Sequence, residues 1–221
     1  DVLTHLVQLT EASPWIASFL ALHPVLLDEL LDPRTLYLPP DIAQIEADLR
    51  RRMRAESADD LEYQIEQMCV FKDVNVLRVA AADVTGALPL MRVSDHLSGI
   101  AETVLAKVVE IAYAHLSTQH GTPHCELNGK GGDSGFAVIA YGKLGGLELG
   151  YGSDLDLVFL HSGSSDKTQG GQQIIDSTQF FNRLGQRVIH ILTAHTRAGK
   201  LYEIDMRLPP SGGAGVLVSH A

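Results

Sequence analysis

Cysteine is scarce in this sequence. Its 221 residues contain two, Cys69 and Cys125, far apart and neither in a C-x-x-C pair. Reduced thiols of a cytosolic protein are the expectation. Long apolar runs are missing too. No stretch approaches the length of a membrane span and no signal-peptide pattern is present, so no membrane association is expected. Basic charge is also in short supply: 17 Lys and Arg stand against 27 Asp and Glu, for a net charge of -10. Such a chain repels a phosphate backbone unless it carries a local basic patch. The one basic cluster, Arg50, Arg51, Arg52 and Arg54, is flanked by Glu46, Asp48 and Glu56 and reads as a solvated helix face. No nucleic-acid partner is expected. Hydrophobic residues make up 45%, an ordinary globular value that argues against disorder. The length suits one large domain or two small ones sharing a core. The sequence starts at Asp1 and ends shortly after Val216-Leu217-Val218-Ser219, which reads as a segment of a longer protein.

What is present divides into two styles of patterning. Residues 1–120 read as helical. Ser13-Pro14 is a start signal, an N-cap followed by proline at the first helical position. Ile16, Phe19, Leu20, Leu27, Leu30 and Leu31 follow at helical spacing, with Pro24 expected to kink or split the stretch. Trp15, the only tryptophan, reads as helix core. A polar helix is expected from about Asp41 to Ala55. Another carries Leu61, Ile65, Met68 and Leu77, with Asp59 or Asp60 as its cap. A third runs from about Leu90 to Gln119. Residues 121–135 hold five glycines and a proline and read as a loop or linker. Beyond it, Phe136–Tyr141 reads as a buried strand, Asp156–Leu160 as a second and Leu201–Leu208 as a third. Ile174–His195 reads as an amphipathic helix. The expected fold class is α+β: a helical region over 1–120, then a small mixed sheet with packed helices over 136–221.

The chemistry gathers in Gly150-Tyr151-Gly152-Ser153-Asp154-Leu155-Asp156-Leu157-Val158-Phe159-Leu160. Alternate side chains of a strand share a face, so Asp154 and Asp156 point together, with Cα atoms roughly 6.5 to 7 Å apart. Leu155, Leu157 and Phe159 turn the other way, into a core. Paired carboxylates repel unless a cation sits between them, and Mg²⁺ takes a few carboxylates together with phosphates and water. A bare D-x-D is common by chance. Here it follows a glycine-rich turn whose N–H groups suit phosphate. Asp205 offers a third carboxylate, in a segment that alternates Tyr202, Ile204, Met206 and Leu208 against Glu203, Asp205 and Arg207. Arg207 could meet a phosphate or neutralise Asp205. His115, His120, His124 and Cys125 lie close in sequence, but complete no paired-ligand spacing for zinc. His161 reads as an ordinary strand-end histidine.

The string from Phe136 to Phe159, and within it Gly142-Lys143-Leu144-Gly145-Gly146-Leu147-Glu148-Leu149-Gly150-Tyr151-Gly152-Ser153-Asp154-Leu155-Asp156-Leu157, resembles the glutamine synthetase adenylyltransferases. These belong to the DNA polymerase β-like nucleotidyltransferase superfamily. Tyr202-Glu203-Ile204-Asp205-Met206-Arg207-Leu208, continuing to Pro210-Ser211-Gly212, resembles the family's third-carboxylate motif. The specific matches cover roughly residues 136–160 and 201–219. One departure stands out. The family's Arg-Leu-Arg-Pro is here Arg207-Leu208-Pro209-Pro210, which removes the second arginine.

The resemblance implies a sheet of nucleotidyltransferase type, two magnesium ions held by Asp154, Asp156 and Asp205, and ATP as substrate. Gly142, Lys143, Ser153 and Arg207 would contact the triphosphate. The implied activity transfers AMP to a tyrosine of glutamine synthetase. The resemblance also implies the cytoplasm as location and, through the full-length enzyme, the PII signal protein as a partner. Such enzymes are bifunctional, and Gly150-Tyr151 resembles the adenylylating, C-terminal half. The alternatives are the phosphorolytic, de-adenylylating half and a non-catalytic module that binds nucleotide or PII.

Overall fold

A computed structural model describes residues 2–31, 36–39, 41–54, 60–125, 135–164, 166–205 and 217–220. Helices fill the first part of the chain and a small mixed sheet follows, an α+β arrangement. Two compact units result. One comprises residues 1–104, 147–152 and 195–201. The other comprises 105–146, 153–194 and 202–221. Each unit therefore draws on separated stretches of sequence.

In the first unit, α1 (Val2–Ala12) is followed by α2 (Pro14–Leu22). Ser13 caps α2, its side chain accepting from Ile16 N, and Pro14 fills the first turn. Pro24 splits the stretch as its missing N–H dictates: α2 ends at Leu22 and a 3₁₀ segment runs over Pro24–Leu31. Ahead of α3 (Ile42–Arg54), Asp41 and Gln44 cap each other reciprocally, a capping box. Of the two aspartates considered for the next cap, Asp60 serves, accepting from Tyr63 N at 3.0 Å. The helix it starts, α4 (Leu61–Val84), is buried on every face from Asp73 to Leu77, so its buried surface there is wider than the spacing of Ile65, Met68 and Leu77 predicts. Leu9, Ile16, Leu20 and Leu26 join Val74 and Leu77 of α4 in one core cluster. Trp15 departs from the expectation of a core position. It is 37% exposed and lies between the rings of Phe19 and Tyr151, each 4.9 Å away. The long helix α5 (Leu90–His120) runs through the division between the units.

The second unit holds the four-stranded sheet. Its strands are β2 (Phe136–Tyr141), β3 (Leu155–His161), β5 (Ile204–Asp205) and β6 (Val218–His220). β2 pairs antiparallel with β3, while β5 and then β6 pair parallel along β3's other edge. The parallel β3–β5 pair needs a crossover, and α7 (Ser177–Thr193) supplies it. Phe180, Phe181, Leu184, Val188, Ile191 and Leu192 give α7 its buried face. A separate two-stranded ribbon pairs β1 (Gly121–Thr122) with β4 (Gln169–Gly170).

Three further sequence expectations change. Phe136–Tyr141 is a strand but not a fully buried one: Ile139 is 38% and Tyr141 48% exposed, because alternate residues of β2 face outward. Ile174 is 56% exposed, because the helix starts only at Ser177. The third strand covers Ile204–Asp205 rather than starting at Leu201. The backbone before it is engaged elsewhere, with Tyr202 N bonded to Leu192 O and Leu201 O accepting from Lys72. Met206, Arg207 and Leu208 lie outside the described residues.

At Gly185, α7 lies close against the sheet. A Cβ there would come within 2.6 Å of Val218 Cγ2 and 3.3 Å of Phe159 Cδ2. Valine is stiff at χ1 and Val218 is buried, so it yields little. Gly185→Ala gains about 0.5–1 kcal/mol in helix propensity but costs about 1–3 kcal/mol in overpacking. Net destabilisation is expected, read as a lower urea midpoint at unchanged m-value.

Candidate active site

Asp156 sits near the start of β3, flanked in the sheet by Tyr141 of β2 and Asp205 of β5. Neighbours in register point to the same face of a sheet, on strands about 4.8 Å apart. The sheet therefore brings Asp156 and Asp205 together from stretches nearly fifty residues apart. The register is fixed at its start by Leu155 N donating to Glu203 O at 2.9 Å. It is fixed from behind by Leu155, Leu157 and Phe159, all buried on the opposite face. Asp154 stands one residue before the strand and is exposed. Asp156 and Asp205 are half-buried.

The turn after β2 closes on this carboxylate. β2 ends at Tyr141, and a short helical turn, α6 (Gly142–Gly145), begins at once. Gly142 has φ +54°. A Cβ on it would lie 2.0 Å from Asp156 Oδ2. Only glycine both accepts that backbone angle without strain and leaves room for the carboxylate. Gly145 is tight in a different way: its Cβ would come 2.5 Å from Ala140 O. Lys143 is exposed on this turn and Ser153 is half-buried just before Asp154. Of the residues expected at the site, Gly142 and Asp205 are thus brought against Asp156. Arg207 and the Pro209 departure lie outside the described residues.

Among the described residues, no three His, Cys, Asp or Glu side chains form a group poised to hold a metal ion. The donor chemistry nevertheless suits a hard divalent cation, since carboxylate oxygens are what Mg²⁺ prefers. Without a cation, carboxylates on neighbouring strands repel each other, less so where salt screens them.

Two of the histidines, His120 and His161, are committed elsewhere. His120 is buried; its Nδ1 lies 2.8 Å from Gln173 O and its Nε2 2.8 Å from Arg183 Nη1. His161 is buried in a stack with Phe181, and its Nδ1 accepts from Gly163 N. Burial, and then the neighbouring His220, push its pKa below the usual imidazole value.

Sequence reasoning missed how the glycine-rich tract is anchored. Tyr151 donates its hydroxyl to Asp83 Oδ2 at 2.8 Å. Burial first, and then Asp83 as hydrogen-bond acceptor and negative charge, hold the phenol far above its ordinary pKa. No sequence signal links Tyr151 to a residue 68 positions earlier.

Gly142→Ala is expected to lose about 1–2 kcal/mol from its left-handed backbone and to displace Asp156. Denaturant unfolding measures the first effect and the Asp156 amide chemical shift the second. His161 predicts a pH dependence of known sign. Its folded pKa is depressed, so the unfolded chain binds the proton more readily. Stability is full above the ordinary histidine pKa of about 6.5 and falls as the pH drops below it. Unfolding curves of His161→Asn should show a shallower decline over that range than wild type.

Residues 3–221 match the family model described as glutamate-ammonia ligase adenylyltransferase. Three similar relatives are each described as a bifunctional glutamine synthetase adenylyltransferase/adenylyl-removing enzyme. That of Thioalkalivibrio sulfidiphilus is 51% identical over 218 residues, that of Nitrosococcus oceani 52% over 218, and that of Pseudomonas aeruginosa 50% over 217. Each alignment covers 98% of this chain and 22% of the relative, so the chain spans about a fifth of their length.

Proposed function

We propose, from the premise that this chain belongs to the glutamate-ammonia ligase adenylyltransferase family, that it carries an adenylylating nucleotidyltransferase core moving AMP from ATP to a tyrosine of glutamine synthetase. The observation that carries the reading is the register of β5 on β3, which sets Asp205 beside Asp156. The core is residues 136–221, with the helical region over 1–120 and a linker over 121–135. The cytoplasm is its proposed location, and PII a partner of the full-length enzyme. No membrane partner is proposed; no helix among the described residues is long and apolar enough to cross a membrane.

In this reading Asp154, Asp156 and Asp205 would hold two magnesium ions. The chemistry that bound magnesium supplies is neutralisation of the triphosphate and stabilisation of the entering and leaving oxygens of an in-line displacement. The residues of the chain do the rest. The Gly142 turn and Ser153 present backbone N–H groups to phosphate, and Lys143 and Arg207 balance its charge. Asp205 accepts the proton of the attacking tyrosine, whose ordinary pKa of about 10 leaves it neutral at working pH. The tyrosine oxygen bonds to the α-phosphorus, the bond from that phosphorus to the bridging oxygen breaks, and pyrophosphate leaves.

The family relatives are named for both adenylyl addition and removal. Gly150-Tyr151 ahead of the carboxylates supports the adding half. Supplying adenylylated glutamine synthetase and phosphate tests the other half, because ADP release would mark phosphorolysis. A module that only binds nucleotide or PII would bind Mg²⁺-ATP and transfer nothing.

Asp154→Asn and Asp156→Asn should each lower AMP incorporation into glutamine synthetase by more than about a hundredfold while leaving the circular dichroism spectrum and melting temperature near wild type. Near-full transfer by either variant would remove that residue from the reaction.

A further inference from the structure

α4 makes two polar contacts that act on distant stretches of chain. Near its middle, Lys72 Nζ pairs with Asp73 Oδ1 at 2.9 Å. The same nitrogen donates to the carbonyls of Lys200 at 3.1 Å and Leu201 at 3.2 Å. Asp73 is buried, with its other oxygen 3.3 Å from His23 Nδ1. At the far end of α4, Asp83 takes the Tyr151 hydroxyl. Lys72 and Asp83 are separated by about three helical turns, which returns them to within roughly 20° of the same face. All of these groups belong to one compact unit.

The two gripped stretches are not arbitrary. Leu201 stands shortly before Asp205 in β5, and Tyr151 shortly before Asp154 and Asp156 in β3. One face of one helix therefore holds the approaches to both carboxylate-bearing strands. An ion pair between a buried aspartate and a half-buried lysine is an expensive way to fill a core, since desolvation costs what apolar side chains would avoid. It supplies directional bonds, and here they end on the backbone leading into β5.

We propose that α4 is the positioning element of the nucleotidyltransferase site, and that Lys72 is a positioning residue which sets the register of β5 by fixing the Lys200 and Leu201 carbonyls. The proposal rests on the function proposed above. Lys72 acts on the backbone just ahead of Asp205. Tyr151 does the same for Asp154 and Asp156.

The test compares wild type with Lys72→Met in the complete natural polypeptide. Lys72→Met keeps most of the side-chain volume and loses the ammonium. Peptides spanning 200–205 are followed by hydrogen–deuterium exchange, and AMP transfer gives kcat and the KM for ATP. The expected result is exchange about tenfold faster over 200–205 and kcat lower by about ten- to a hundredfold, with KM for ATP within about threefold, as misplacement of a reacting group requires. Tyr151→Phe should instead loosen 152–157 and leave 200–205 protected. If Lys72→Met does not fold, Lys72→Arg replaces it. That variant keeps a charge for Asp73 but cannot seat a planar fork on both carbonyls, and the same exchange and rate changes are expected. Unchanged exchange over 200–205 overturns the proposal, as does faster exchange with an unaltered kcat. If wild type itself transfers no AMP, the functional reading fails, and the exchange comparison still decides whether Lys72 fixes β5.

Discussion

The chemistry proposed for this chain depends on a short parallel pairing. Leu155 N bonds to Glu203 O, and one residue further on Asp156 faces Asp205 across neighbouring strands. Like charges set directly opposite each other weaken a sheet. The pairing survives because the far face of β3 is apolar and buried, at Leu155, Leu157 and Phe159, and because β2 and β6 also bond to the same strand. Shifting β3 by one residue would turn the aspartates into the core and the leucines out. That exchange is what holds the two carboxylates together.

Around that pair the backbone is shaped by close approach. Gly142 lies so near Asp156 that a methyl group would collide with its carboxylate, and Gly185 lets α7 down onto Phe159 and Val218. Both glycines remove volume where something else must sit, a carboxylate in one case and a buried valine in the other. The turn and the helix thereby become parts of the site's geometry rather than connections between strands.

The helical unit is organised differently. Its central feature is a helix, α4, buried on every side between Asp73 and Leu77 yet carrying Asp73 and Asn75 inside. Asn75 turns its amide back to Phe71 O, and Asp73 lies between Lys72 Nζ at 2.9 Å and His23 Nδ1 at 3.3 Å. Beside them runs a ladder of rings from Tyr151 through Trp15 and Phe19 to His23. Polar contacts buried this deeply have few alternative arrangements, which suits segments that must be held in one place.

Much of this was legible in the order of residues. Local signals are complete within a few positions, so Ser13-Pro14, a cap at Asp59 or Asp60, a kink or break at Pro24 and the alternation of Asp154 and Asp156 with Leu155 and Leu157 could be read without a structure. The string from Gly142 to Leu157 carried the family. The ends of the third strand, the exposure of Trp15 and Ile174, and the one-sided burial of β2 could not be read, since each depends on what packs alongside. Tertiary structure alone decided that residue 205 stands beside residue 156, that Tyr151 reaches Asp83, and that Lys72 takes the carbonyls before β5. The physical reason is that hydrogen bonds and strand pairing between distant stretches leave no periodic trace in sequence, whereas caps, turns and alternating faces do.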